Sequence, residues 1–163
     1  RGCDLLLGYC QVKPQPADIV ITSNGGAPLD QNIYQCVKSM TAAEASCREG
    51  GVIIICAECA DGHGGEGFYN SLKNCGSAAE LYAQFMATPQ EQTLPDQWES
   101  QILARILMHH KVIFFSRPEM KTTIEGMKMT YAGSIGEAVA MAEGMGKHSI
   151  TVIPNGISVI VRD

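Results

Sequence analysis

At 163 residues, 45% of them hydrophobic and 18% charged, the chain has the length and apolar content of one folded domain, which excludes a disordered or fibrous protein. A net charge of −5 excludes a nucleic-acid grip made by a basic surface, and no apolar run approaches the roughly 20 residues that cross a bilayer. The chain opens on Arg1 without a secretory signal, which reads as a piece of a longer protein.

The first element expected is a short buried strand, Ile19-Val20-Ile21, running out at Thr22-Ser23. The loop Ser23-Asn24-Gly25-Gly26-Ala27-Pro28 follows. A helix is then expected over residues 30–49, with Asp30 as N-cap and Gly50-Gly51 as the stop. Residues 52–57 read as a second strand, too continuously apolar for a sheet with one wet face. After a glycine-rich loop at 59–67 come helical segments at 68–73 and 78–86. Leu94-Pro95-Asp96 introduces another helix, with Asp96 and Glu99 in capping-box spacing and Trp98, Ile102, Leu103, Ile106 and Leu107 on one stripe. His109 and His110 end it. Residues 112–115 read as a third strand and 134–143 as a helix. Residues 150–153 and 158–161 flank Asn155-Gly156, a turn pair that predicts a terminal antiparallel hairpin.

Strands alternating with helices predict a single three-layer, Rossmann-like α/β domain over residues 1–163: a mostly parallel sheet, helices on both faces, and the hairpin at its end. Ligands of such sheets sit beyond the carboxyl ends of the strands, so the loops after the first two strands are candidate binding loops. The seven cysteines are odd in number and several fall in apolar runs, which suits a reducing cytoplasm better than a disulfide framework. Cys56 and Cys59 form a C-x-x-C. Cys56 continues the run Val52-Ile53-Ile54-Ile55, however, and no second pair follows at zinc spacing, so packing is the favoured reading.

On a wheel of roughly 100° per residue the helix over 30–49 gathers Ile33, Cys36, Val37, Met40 and Cys47 in one arc. Tyr34, Gln35 and Lys38 gather in the opposite arc as neighbours at three- and four-residue spacing. An amide, a phenol and an ammonium there can hold a carboxylate or phosphate, with the helix N-terminus adding its dipole. A solvated polar face is the plainer reading of the same pattern. Ala42 and Ala45 continue this face, and their small side chains permit close approach of another domain.

The run Asp18-Ile19-Val20-Ile21-Thr22-Ser23-Asn24-Gly25-Gly26, followed by Pro28-Leu29-Asp30-Gln31-Asn32-Ile33-Tyr34-Gln35, resembles the carboxy-terminal domain of the nickel-pincer lactate racemase family. So do Lys38, the stretch Glu49-Gly50-Gly51-Val52-Ile53, and the loop Asp61-Gly62-His63-Gly64-Gly65-Glu66; the likeness is specific mainly over residues 18–69. The resemblance implies a two-domain enzyme with an interdomain cleft, in which a nickel-pincer nucleotide takes hydride from C2 of a 2-hydroxy acid and returns it to the other face. It implies that Gln35 and Lys38 contact substrate or cofactor, with Tyr34 and Trp98 beside them, and that Ser23, Asn24, Gly25, Gly26, Asp61 and His63 belong to cleft loops. In that family the nickel-ligating histidine, the cofactor-linked lysine and the acid/base histidines lie in the amino-terminal domain. The resemblance therefore implies no catalytic residue and no metal ligand in this chain, and an isolated domain without activity.

Two rival readings stand beside it. Gly62-x-Gly64-x-x-Gly67 follows a strand and precedes a helical segment, the form of a dinucleotide fingerprint, although Asp61 and Glu66 would repel a pyrophosphate. The other is a non-catalytic ligand-binding or assembly module. His63 with Asp61 and Glu66 is a weak metal set, and tight turns account more simply for the glycines.

Overall fold

The computed structural model describes residues 1–163. In order the chain forms α1 (Gly2–Cys10), β1 (Gln11–Val12), β2 (Ala17–Ser23), α2 (Ile33–Glu44), β3 (Cys47–Cys56), α3 (Glu66–Asn74), α4 (Ala78–Ala87), α5 (Gln97–His109), β4 (Lys111–Phe115), α6 (Lys121–Gly126), β5 (Thr130–Ala132), α7 (Ile135–Gly144), β6 (Ile150–Ile153) and β7 (Ile160–Val161). Five strands make one sheet in the order β5-β4-β3-β2-β6, every pair parallel.

The apolar runs explain the layers. Successive side chains of a strand point to opposite faces, so a strand apolar at every position needs both faces covered. Val20, Ile53, Ile55, Val112 and Phe114 face the larger core, where α2, α3, α4, α5 and α6 pack. Ile19, Val52, Ile54 and Ile113 face the smaller one, closed by Ala138 and Ala142 of α7. Each fully buried Ile or Phe side chain contributes roughly 1.5–3 kcal/mol. The two faces are covered unequally. α7 lies over β3, β4 and β5, whereas Ile150 and Val152 of β6 stay 45% and 58% exposed.

The terminal hairpin does not form. β6 adds to the free edge of β2 in parallel, Ile19 opposite Ile150, and β7 pairs in parallel with β1 as a separate two-stranded sheet. Gly156 begins a short 3₁₀ turn, Gly156–Ser158, rather than a hairpin turn. It is glycine because the chain crosses close over β2 and α2: an added Cβ would lie 2.6 Å from Thr22 Oγ1 and 2.7 Å from Ser39 Cβ.

The helix expected over 30–49 is shorter. It runs Ile33–Glu44, capped by Asn32 instead of Asp30, and Cys47 lies in β3 rather than on the helix. Gly50 and Gly51 do not stop a helix; they make an irregularity in β3, where Ala17 pairs with Cys47 but Ile19 with Val52. At Gly51 an added Cβ would meet Cys47 Sγ at 2.6 Å and the Asp18 carbonyl oxygen at 2.8 Å. Asp96 makes no side-chain cap on α5, since its backbone is left-handed at φ 60°. No element was anticipated at α1, β1, α6 or β5, whose sequences are short or lack a clear period.

Replacing Gly156 with Ala should destabilise the fold by about 1–3 kcal/mol through overpacking. Gly144→Ala, at a position with nothing within 4 Å, should leave the urea midpoint unchanged or raise it.

Candidate functional site

The polar face of α2 is set by how its first turn is closed. An α-helix begins with N–H groups that have no partner inside the helix. Here Ile33 N donates to the Gly62 carbonyl at 3.1 Å, Tyr34 N to the His63 carbonyl at 3.2 Å, and Gln35 N to Asn32 Oδ1 at 3.0 Å. These donors are therefore used within the protein. The expectation that the N-terminus of α2 adds an anion site is corrected on that ground.

The same contacts give the glycine-rich loop its role. Asn32 Nδ2 donates to Asp61 Oδ2 at 3.2 Å, and Asp61 N donates to the Gln31 carbonyl at 2.7 Å. Gly64, at φ +87°, passes so close to α2 that an added Cβ would lie 2.8 Å from Tyr34 Cβ. The G-x-G-x-x-G pattern thus records a loop folded against α2, with its carbonyls on the helix, and not a cradle for pyrophosphate. His63 turns the other way. Its ring stacks on Tyr69 at 4.7 Å and 6°, its Nδ1 accepts from Gly65 N at 3.2 Å, and its Nε2 lies 3.6 Å from Glu66 Oε1.

Four of the expected residues come together. The half-buried ring of Tyr34 meets Phe68 edge-on at 5.3 Å and Trp98 edge-on at 6.0 Å, and its hydroxyl donates to Asp96 Oδ1 at 2.9 Å. Burial, with the Asp96 carboxylate adding to it, pushes the phenol up to about 12, so Tyr34 stays protonated. Lys38 is exposed and donates through Nζ to Gln35 Oε1. With its oxygen taken, the Gln35 amide has its NH2 group left to donate. Trp98 is 51% exposed, although it falls on the apolar stripe of α5. Ala42 is buried and Ala45 caps the end of α2, so they do not extend this face as a flat patch.

Residues 23–26 lie beside this face. Asn24 Nδ2 donates to the Leu29 carbonyl at 2.7 Å and the Gln35 carbonyl at 2.9 Å, tying the loop to α2. Ser23 Oγ donates to the Pro154 carbonyl and accepts from Gly25 N at 3.0 Å. Ser23 and Gly26 also line a cleft of about 580 Å³ at the carboxyl ends of β2, β3 and β4, shared with Asp30, Glu58, Ser116 and Arg117. Tyr34, Gln35, Lys38 and Trp98 do not line it. Ser116 and Arg117 escaped the sequence reading, which looked only to the loops after the first two strands.

Cys59 is buried, and the thiol it acts on is Cys36 rather than Cys56. The Cys59 thiol and burial push the Cys36 thiol up, and burial does the same at Cys56. Packing thiols account for the C-x-x-C.

Glu99 was read as a capping-box residue, and the structure places it elsewhere. It is 1% exposed, and neither carboxylate oxygen has a hydrogen-bond partner. Burial pushes its carboxyl up to about 7, against the opposing pull of Lys38 and with Asp96 adding to the rise.

A parallel sheet covered by helices on both faces, with a polar cluster on the helix that follows its first long strand, defines a Rossmann-like α/β domain. The family described as the lactate racemase C-terminal domain matches residues 12–161, and the chain belongs to that family. A lactate racemase of Thermoanaerobacterium thermosaccharolyticum is 53% identical over 165 residues, covering 100% of this chain and 39% of that protein. A lactate racemase of Lactiplantibacillus plantarum is 49% identical over 164 residues, covering 99% and 38%. The solved structure of the lactate racemase apoprotein from T. thermosaccharolyticum superposes with a TM-score of 0.95 at 54% identity, covering 99% of this chain and 39% of that one. The chain thus spans under two-fifths of the length of these relatives.

Glu99 sets a pH dependence of stability. Its carboxyl keeps its proton in the fold up to about pH 7 but releases it near 4.5 when unfolded. Its favourable contribution is whole below 4.5 and lost as the pH rises through 7. Glu99→Gln should therefore stabilise the fold by about 1–3 kcal/mol at pH 8 and by little at pH 4.5, read as thermal midpoints against the parent chain.

Proposed function

We propose that the chain is the carboxy-terminal domain of a longer, two-domain 2-hydroxy-acid racemase, with lactate the first substrate to test. In this reading the α2 face and Trp98 form one wall of an interdomain cleft, and the amino-terminal domain supplies the opposite wall with the acid/base and metal-ligating groups. The grouping of Lys38, Gln35, Tyr34 and Trp98 carries the reading. Family membership and the length of the relatives support it.

The residues present suit a flat, anionic nucleotide and a small carboxylate. Trp98 offers an open indole ring, Lys38 an ammonium and Gln35 an amide NH2. When bound, a nickel-pincer nucleotide supplies the hydride acceptor for C2 of the hydroxy acid. Lys38 neutralises the substrate carboxylate. Gln35 donates to it and fixes its rotation, so that C2 is held in one place while its two faces exchange. Tyr34, protonated and bonded to Asp96, adds a neutral wall that carries no competing charge. Proton removal from the 2-hydroxyl belongs to groups outside this chain.

Free thiols at all seven cysteines fit a reducing cytoplasm, which is where we place the protein. No helix is long and apolar enough to cross a membrane.

The test is optical inversion of lactate and a panel of other 2-hydroxy acids by the cofactor-loaded full-length protein. Lys38→Ala should lower kcat/KM by roughly 10²–10³, the loss of a charge-assisted contact of about 3–4 kcal/mol, with cofactor loading retained. Turnover by residues 1–163 alone, or an unchanged kcat/KM in the variant, would refute the assignment.

A further inference from the structure

Glu99 stands apart from the other carboxylates. Asp30 is also buried, but it accepts from Glu58 N at 3.1 Å, whereas Glu99 accepts from nothing. It sits in the first turn of α5, which packs against α2, α3, α4 and β3. The ionisable groups on those elements are mostly engaged elsewhere. Glu44 of α2 pairs with Arg105, Arg48 and Glu49 of β3 pair with Asp18 and His109, and Glu66 and Lys73 of α3 lie beside His63 and the Tyr69 ring. On α4, Tyr82 acts on Arg105 and Glu80 lies against Gly76. What acts on Glu99 is Lys38 from α2 and Asp96 from its own side, and Glu99 acts in turn on Tyr34. Lys38, exposed and bonded to Gln35, is the one cation whose charge acts on Glu99.

We propose that Glu99 is a positioning residue for Lys38: its dry carboxylate competes with a substrate carboxylate for the single ammonium, so that an anion captured by Lys38 brings a proton onto Glu99. The proposal rests on the reading of Lys38 as a substrate-facing group. Without substrate and above about pH 7, Lys38 balances an ionised Glu99 across the α2–α5 contact. A bound carboxylate takes over that positive charge. Glu99 is then a charge in a dry site, with Asp96 as its remaining ionic neighbour, and a proton from solvent neutralises it. One anion and one proton are taken up together, and no other bond changes. Binding weakens as the pH rises, because the proton becomes scarcer.

The experiment follows the glutamate carboxyl carbons of the ¹³C-labelled full-length protein by NMR from pH 5 to 9, with and without L-lactate. One carboxyl should titrate near neutrality, vanish from the spectrum of Glu99→Gln, and shift its midpoint upward by about one unit when lactate binds. In parallel, KM for lactate should rise roughly fivefold between pH 6 and 8 in the parent protein and stay flat in Glu99→Gln, with kcat affected far less. A Glu99 that titrates in the usual acidic range, or a glutamine variant that keeps the full KM slope, overturns the proposal. A midpoint insensitive to lactate does so too. If Lys38→Ala still raises KM in that case, the coupling alone has failed; if KM is unchanged, the substrate-facing role of Lys38 has failed with it.

Discussion

The first turn of α2 is held by hydrogen bonds from a loop that follows a different strand. Gly62 and His63 lend their carbonyls, Asp61 fixes Asn32, and Asn32 closes the turn through Gln35 N. The parallel sheet makes this possible, because it brings the ends of β2 and β3 to the same edge, so the two loops meet there. Tyr34, Gln35 and Lys38 take their positions from that closure. Gly64 has to be glycine for the loop to come close enough, both for its φ of +87° and for the space beside Tyr34. A glycine-rich loop in this position can be taken for a phosphate binder when its work is to anchor a neighbouring helix.

Two acids at opposite ends of the sheet are held in opposite ways. At the amino end, Asp18 accepts from Ser149 Oγ at 2.7 Å, from Ser149 N at 3.2 Å and from Arg48 Nη1 at 3.0 Å, which hold its carboxyl far below the usual range. Those bonds pin β6 and β3 to β2. At the carboxyl end, beside the polar face of α2, Glu99 is buried with no donor at all. A buried polar group left unsatisfied costs stability, and natural proteins keep such groups mostly where the chemistry uses them.

Much of this was legible in the sequence, and the exceptions share a cause. The runs Ile19-Val20-Ile21, Val52-Ile53-Ile54-Ile55 and Val112 to Phe114 announce fully buried strands, and the 3.6-residue period places Tyr34, Gln35 and Lys38 on one face. The parallel class of the sheet follows from the alternation. What failed depended on contacts far along the chain. Asn155-Gly156 carries the local signature of a hairpin, but the edge of β2, more than 130 residues away, captures the strand before it. Asp30 looks like a cap, yet it is engaged with Glu58 N across the loops, and Asn32 caps instead. Glu99 has the spacing of a capping box, and only the packing of α5 on α2 reveals it as a buried acid.

The pairing of β6 with β2 also governs how the chain can be made. A ribosome releases β2 near the start of this segment and β6 close to its end, so one edge of β2 stays open through nearly all of the synthesis. The register that completes the sheet cannot form until residues 150–153 have emerged. The β2–β6 pairing is therefore a late event, and a truncation that reaches residue 153 would strip the sheet of its edge strand. β1 and β7 bring residues 11–12 and 160–161 side by side, so two stretches almost the whole chain apart close the domain together.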